Sequence, residues 1–167
     1  HRALVEYREA WKDAGQEDID LRLEFARLLS TDEGRSEEAL KMLGEPESLP
    51  GRLLRASILE TLDRCEEALK VLDAAGPEGE QAAPYLRASC FERMGMRKEA
   101  SAAARVLFEA RKNDPIAMNF LAYMLALEGR DLEEAKALSL RTLAADPESV
   151  AYQDTYGWIL FQQKDFT

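Results

Sequence analysis

The chain has 167 residues, 46% of them hydrophobic, with only 9 Gly, 6 Pro and 2 Cys. That is enough to bury a core, and the scarcity of turn residues and of alternating apolar patterns excludes a strand-built fold in favour of an all-α one. A formal net charge of −10 excludes the clustered Lys and Arg that a phosphate backbone requires, so nucleic acid is not an expected partner.

No apolar run approaches the roughly 20 residues that cross a bilayer, so no membrane insertion is expected within this segment. No stretch has the basic start and apolar middle of a secretory leader either. In chain order, apolar residues at intervals of three and four predict about ten helices. The first spans 2–14, where ALVEYREAW already reads as the middle of an amphipathic helix. The next are 19–31, 36–44, 51–62 and 65–75, with a loop over 44–51 and a break at Gly76-Pro77-Glu78-Gly79. A helix over 81–94 can hold Pro84 only in its first turn. The helix over 97–112 reads about one turn longer than the repeat pattern set out below, and 116–128, 132–145 and 150–163 follow, separated by Gly129 and Asp146-Pro147. One extra residue near Arg130 loosens the turn before the penultimate helix. The last residues, FQQKDFT, stop where another helix should begin, so the chain reads as a segment of a longer, bacterial protein.

Small residues recur in phase. Ala88 to Ala122 is 122 − 88 = 34 and Ala122 to Gly157 is 157 − 122 = 35, while Ala100 to Ala135 is 135 − 100 = 35. Further back the spacing contracts, to 88 − 56 = 32 for Ala56 and 56 − 26 = 30 for Ala26, with Ala39 and Ala68 in the second helices. Ala122 and Gly157 are therefore expected at the closest helix contacts. SEEALKML and CEEALKVL each carry one apolar stripe. The glutamates before their alanines, Glu37-Glu38 and Glu66-Glu67, and likewise Glu133-Glu134, fall in a first turn where negative charge complements the helix dipole. Asp131 and Glu134 have the spacing of a capping box. Adjacent carboxylates diverge by about 100° on a helix, so these pairs do not read as a catalytic dyad.

The stretch Met118 to Phe166 contains nearly the same helical hairpin twice: Leu121-Ala122 returns as Tyr156-Gly157, Leu125 returns as Leu160, and Asp114-Pro115 and Asp146-Pro147 end what precedes each copy. This resembles the tetratricopeptide repeat, a unit of roughly 34 residues of helix, turn and helix. The resemblance implies a right-handed superhelical solenoid of antiparallel helix pairs filling one domain over 1–167, with degenerate repeats over about 1–80, clearer ones over about 81–167, and a truncated last repeat. It implies a protein-interaction scaffold whose first helices line a ligand groove. On the matching positions the groove residues would be Leu23, Arg27, Leu53, Ser57, Tyr85, Ser89, Glu92, Asn119, Tyr123, Asp154, Trp158 and Phe161. Aromatic groups would anchor a peptide, and Ser89, Asn119 and Asp154 would hydrogen-bond its backbone. Some members grip a C-terminal carboxylate through Lys, Arg and Asn. The corresponding places here hold Leu23, Arg27, Leu53, Ser57, Tyr85 and Ser89, of which only Arg27 is cationic, so that activity is not implied.

Nothing in the sequence supplies a nucleophile with its base, a metal set or a phosphate loop, so no catalytic residues, no metal and no cofactor are expected. The only histidine is His1, and Cys65 and Cys90 have neither metal nor redox spacing and read as small buried hydrophobes. The expected partner is a protein or peptide. Alternatives are the non-catalytic arm of a larger enzyme and a self-assembling module, with copies stacking end to end. Composition leaves the cytoplasm and the bacterial periplasm or cell envelope equally open.

Overall fold

The computed structural model describes residues 6, 7, 9, 11, 18–32 and 34–164, with the side chains of Glu80 and Gln81 excepted. The expected helix over 2–14 lies largely outside these residues; of it, Glu6, Tyr7, Glu9 and Trp11 are helical. Every other regular element among the described residues is an α-helix. In order they are α1 (Ile19–Ser30), α2 (Ser36–Leu43), α3 (Leu49–Thr61), α4 (Cys65–Asp73), α5 (Gly76–Ala82), α6 (Pro84–Arg93), α7 (Arg97–Ala110), α8 (Pro115–Glu128), α9 (Leu132–Ala145) and α10 (Val150–Gln163).

Local chemistry sets most of these limits. The Asp18 carboxylate accepts from the Leu21 amide at 3.0 Å to open α1, and the Asp114 carboxylate accepts from the Ile116 amide at 2.9 Å to open α8. Gly129, at φ +74°, closes α8 in the left-handed conformation that glycine adopts without a Cβ penalty.

Four expectations are corrected. Helix α3 begins at Leu49 rather than 51, because Pro50 fits a first turn, where its missing amide costs nothing, and the Ser48 hydroxyl accepts from Gly51. The Gly76-Pro77-Glu78-Gly79 break is itself the start of a seven-residue helix, α5, again with proline in the first turn. Helix α7 stops at Ala110 and has 14 residues, as do α8, α9 and α10, so the extra turn expected over 97–112 is absent. Asp131 makes no capping hydrogen bond to α9 and sits at φ +49°; Glu134, its expected box partner, is taken by Arg105 at 2.7 Å to Nη2. Pro84 stands at the start of α6, as its chemistry requires.

By packing, the chain divides into two compact units, residues 1–86 and 87–167. In the first, α1 packs on α2 and α3 on α4, with further contacts joining α2 to α3 and α3 to α5. Its core holds Phe25, Leu29, Leu43, Ile58, Leu59 and Leu72. In the second, α8 is the central element, packed against α7, α9 and α10. Its core joins Ala88, Ala104, Met118, Leu121, Met124, Leu125, Leu138 and Ile159.

The repeat register is visible in burial. Ala26, Ala39, Ala56, Ala68, Ala88, Ala100, Ala122 and Ala135 are all at most 1% exposed. A methyl at each place lets two helices approach where a larger group would hold them apart. Gly157 departs from this register: it is exposed, and a Cβ added there would meet nothing within 4 Å. The expectation that it marks a close helix contact does not hold for this chain. Cys65 and Cys90 are both buried, and neither is part of a disulfide.

Candidate binding groove

Sector and spacing bring the candidate residues into three equivalent sets. Tyr85, Asn119 and Asp154 are related by 119 − 85 = 34 and 154 − 119 = 35, and Ser89, Tyr123 and Trp158 by 123 − 89 = 34 and 158 − 123 = 35. Glu92, Ala126 and Phe161 follow with 126 − 92 = 34 and 161 − 126 = 35. They lie on α6, α8 and α10, the first helices of successive pairs.

Within the second unit, α8 and α10 touch directly, so Asn119 and Tyr123 have Asp154 and Trp158 on the neighbouring helix. Tyr123 is half-buried against the core cluster. Burial pushes its phenol above the ordinary value, and the Glu92 carboxylate adds to the shift, so charge on Glu92 is felt at the ring hydroxyl. Asn119 is also half-buried, and its Oδ1 is buried with no hydrogen-bond partner, an acceptor left unused. Ser89 and Glu92 are half-buried, whereas Asp154 is exposed. Trp158 is 38% exposed and Phe161 57%, and the two rings stack with centroids 5.4 Å apart.

Arg27 and Tyr85 lie in the first unit. Tyr85 is 54% exposed. Arg27 is exposed and held by a long ion pair to Glu24, at 3.8 Å. Leu23 and Leu53 are half-buried and Ser57 is exposed. The structure therefore gathers Ser89, Glu92, Asn119, Tyr123, Asp154 and Trp158 onto the helices of one unit, with Arg27 and Tyr85 in the other.

A concavity absent from the sequence reading lies in the first unit. It is a cleft of about 450 Å³ lined by Glu45, Pro46, Glu47, Arg52, Arg55, Lys70, Val71 and Ala74. Its arginines are engaged in closing the loop: Arg55 donates to the Gly44 carbonyl and to Glu45, both at 2.6 Å, and Arg52 donates to the carbonyls of Pro46 and Ala74. The signal available for it was Glu45 and Glu47 in a Pro-bearing loop followed by Arg52 and Arg55 on the next helix.

Among the described residues no three His, Cys, Asp or Glu side chains come together as a metal site. No described helix is long and apolar enough to cross a membrane.

No protein-family profile matches this chain, and no curated protein matches it in sequence. Seven solved chains match its fold. One is MamA, residues 41 to the end, from Desulfovibrio magneticus RS-1, at a TM-score of 0.72 and 19% identity, covering 90% of this chain and 89% of that one. MamA is a helical-repeat protein of the tetratricopeptide type, and the likeness gives this chain the same all-α repeat fold.

Proposed function

We propose that this chain, whose helices stack as tetratricopeptide-type repeats, is a non-catalytic interaction scaffold that binds an extended peptide segment of a partner protein. The contact residues are Ser89, Glu92, Asn119, Tyr123, Asp154 and Trp158. One observation carries the reading: equivalent positions of α8 and α10 place a half-buried Asn119, whose buried amide oxygen has no hydrogen-bond partner, beside a half-buried Tyr123, and an exposed acidic group at Asp154 beside Trp158. Aromatic anchors flanked by hydrogen-bonding groups are what an extended peptide needs, because rings supply most of the binding energy and polar side chains fix the backbone. Glu92 and Asp154 on a chain of net charge −10 favour a segment carrying Lys or Arg.

The test begins with a displayed library of random peptides selected on the 167-residue chain, followed by calorimetry on the enriched sequences. Selected peptides are expected to be basic and aromatic or aliphatic, and to lose about tenfold or more in affinity on Trp158→Ala or on Tyr123→Ala. Leu140→Ala, on an exposed face of α9, should leave affinity unchanged. Melting curves on each variant separate lost contacts from lost folding. Binding that survives both aromatic truncations would overturn the groove.

A further inference from the structure

The cleft of the first unit, between the loop that follows α2 and the end of α4, has a charge balance unlike the rest of the chain. Three of its lining side chains, Arg52, Arg55 and Lys70, are cationic against two carboxylates, Glu45 and Glu47, whereas the whole chain has a formal net charge of −10. Arg55 and Glu45 cancel each other in an ion pair at 2.6 Å, with the Arg55 side chain only 15% exposed. Arg52 and Lys70 then stand against Glu47 alone.

Neither of those two cations is neutralised within the fold. Arg52 is pinned by uncharged acceptors: its Nε donates to the Pro46 carbonyl at 3.3 Å and its Nη1 to the Ala74 carbonyl. The end of a helix carries about half a unit of negative charge, so the guanidinium stays net positive, and among the described residues its Nη2 has no acceptor. Lys70, exposed on α4, forms no hydrogen bond or ion pair with a described residue, and neither does the exposed Glu47. The bonds from Arg52 and Arg55 also tie the carbonyls of Gly44 and Pro46 to α3, so the site is held in shape before anything binds. Its remaining wall is apolar, formed by Pro46, Val71 and Ala74.

We propose that this cleft binds a glutamate side chain from an acidic segment of a partner protein. Its carboxylate is taken by Arg52 Nη2 and Lys70 Nζ, and its methylenes lie against Pro46, Val71 and Ala74. A volume of about 450 Å³ is more than a lone anion fills and lies within the range of sites that hold a small organic group, so an aliphatic arm with a charged end matches both walls. The groove positions Leu53 and Ser57 are not part of the lining. The cleft lies wholly in the first unit and takes an acidic segment, whereas the contact residues of the peptide reading above lie in the second and favour a basic one, so the two stand independently.

The test is an NMR titration of the isotope-labelled full chain with the capped peptide acetyl-Ala-Glu-Ala-Glu-Ala-amide, and with the same peptide carrying glutamine for glutamate. Saturable shifts are expected at the Val71 and Ala74 amides and at the Arg52 Nε–H with the acidic peptide, and none with its neutral counterpart. Lys70→Glu should weaken binding about fivefold with an unchanged melting curve, and Glu47→Gln, which removes the competing carboxylate, should tighten it about twofold. The double variant Tyr123→Ala/Trp158→Ala should bind this peptide as the parent does, so failure of the groove and failure of the cleft are told apart. Equal shifts from both peptides, or a Kd indifferent to Lys70→Glu and to Glu47→Gln, would overturn the site. Inorganic phosphate moving the same signals at lower concentration than the peptide would reduce the cleft to an anion hole. Sedimentation showing a dimer that Lys70→Glu dissolves would give it to a second copy, and either result overturns the assignment.

Discussion

Glu38, Glu67 and Glu134 occupy the same place in three repeats, just before the small residue, and each ends on an arginine, by one of two routes. Arg35 and Arg64 precede their own helices and grip Glu38 and Glu67 with two hydrogen bonds each, at 2.8 and 2.9 Å and at 2.7 Å twice. Glu134 is held by Arg105 on the preceding α7, 29 residues away. The dipole argument for these glutamates could be made from sequence, because it concerns their own helix. The partner of Glu134 could not, because it depends on how two helices meet. The hydrogen bond from the Arg105 guanidinium holds the Glu134 carboxyl below its usual value, against an opposing push from burial, and the guanidinium's charge adds a smaller lowering. A lowered folded value means the pair stabilises above the ordinary carboxylate range and is lost as pH falls through the folded value. Both side chains are more than a third exposed, at 37% and 40%, so screening limits the effect. Glu134→Gln should therefore cost about 1 kcal/mol or less at neutral pH, and the gap in urea midpoint between variant and wild type should close below the carboxylate range. A gap unchanged at acid pH would show that the glutamine loses packing rather than charge.

At the level of elements, periodicity located most helices because their apolar stripes are long. It failed where a short helix is built from residues that usually break one. Helix α5 opens on Gly76 at φ +64° and Pro77, whose fixed φ suits a first turn, and seven residues are too few for a periodic signal. What keeps α5 in place is close approach. Gly79 is buried, and a Cβ on it would stand 2.5 Å from the Leu72 carbonyl oxygen and 2.7 Å from the Ala75 Cβ. Alanine in a helix ordinarily gains about 1 kcal/mol over glycine. Here the obstructing atom is backbone of α4, which cannot turn aside, so Gly79→Ala is expected to reverse that sign and destabilise by about 1–3 kcal/mol. Urea unfolding of the two proteins decides it, and a stabilised variant would mean that α5 gives way without loss. The same reasoning explains why α3 starts earlier than its glycine suggests: Gly51 lies within 2.5 Å, at an added Cβ, of the Pro46 side chain, so it serves packing rather than a break.

For the whole molecule, composition alone gave the all-helical class, and the alanine register gave the core of both units, since a buried methyl is required wherever two helix axes come close. The candidate site was legible only as positions: that Asn119 carries a buried acceptor without a hydrogen-bond partner, or that Trp158 and Phe161 stack, depends on which neighbours each helix finds. The same dependence made Gly157 misleading, because a small residue predicts a close contact only when a second helix is there to make it. Division into two units has a consequence for stability. The core cluster of the second runs from Ala88 to Ile159 and draws only on α6 to α10. Stacked repeats derive their stability from nearest neighbours, so a closed cluster of this kind should hold without distant parts of the chain. A fragment beginning at Pro84, where α6 starts, is therefore expected to be helical by circular dichroism and to unfold in one cooperative urea transition. It contains 167 − 83 = 84 residues, half of the parent. Because the denaturant slope follows the surface exposed on unfolding, that slope should be roughly half the parent's. A shallow, non-cooperative loss of ellipticity would instead show that α8 and its neighbours reach a packed state only when the first unit is attached, making the two cores one folding unit despite their separate membership.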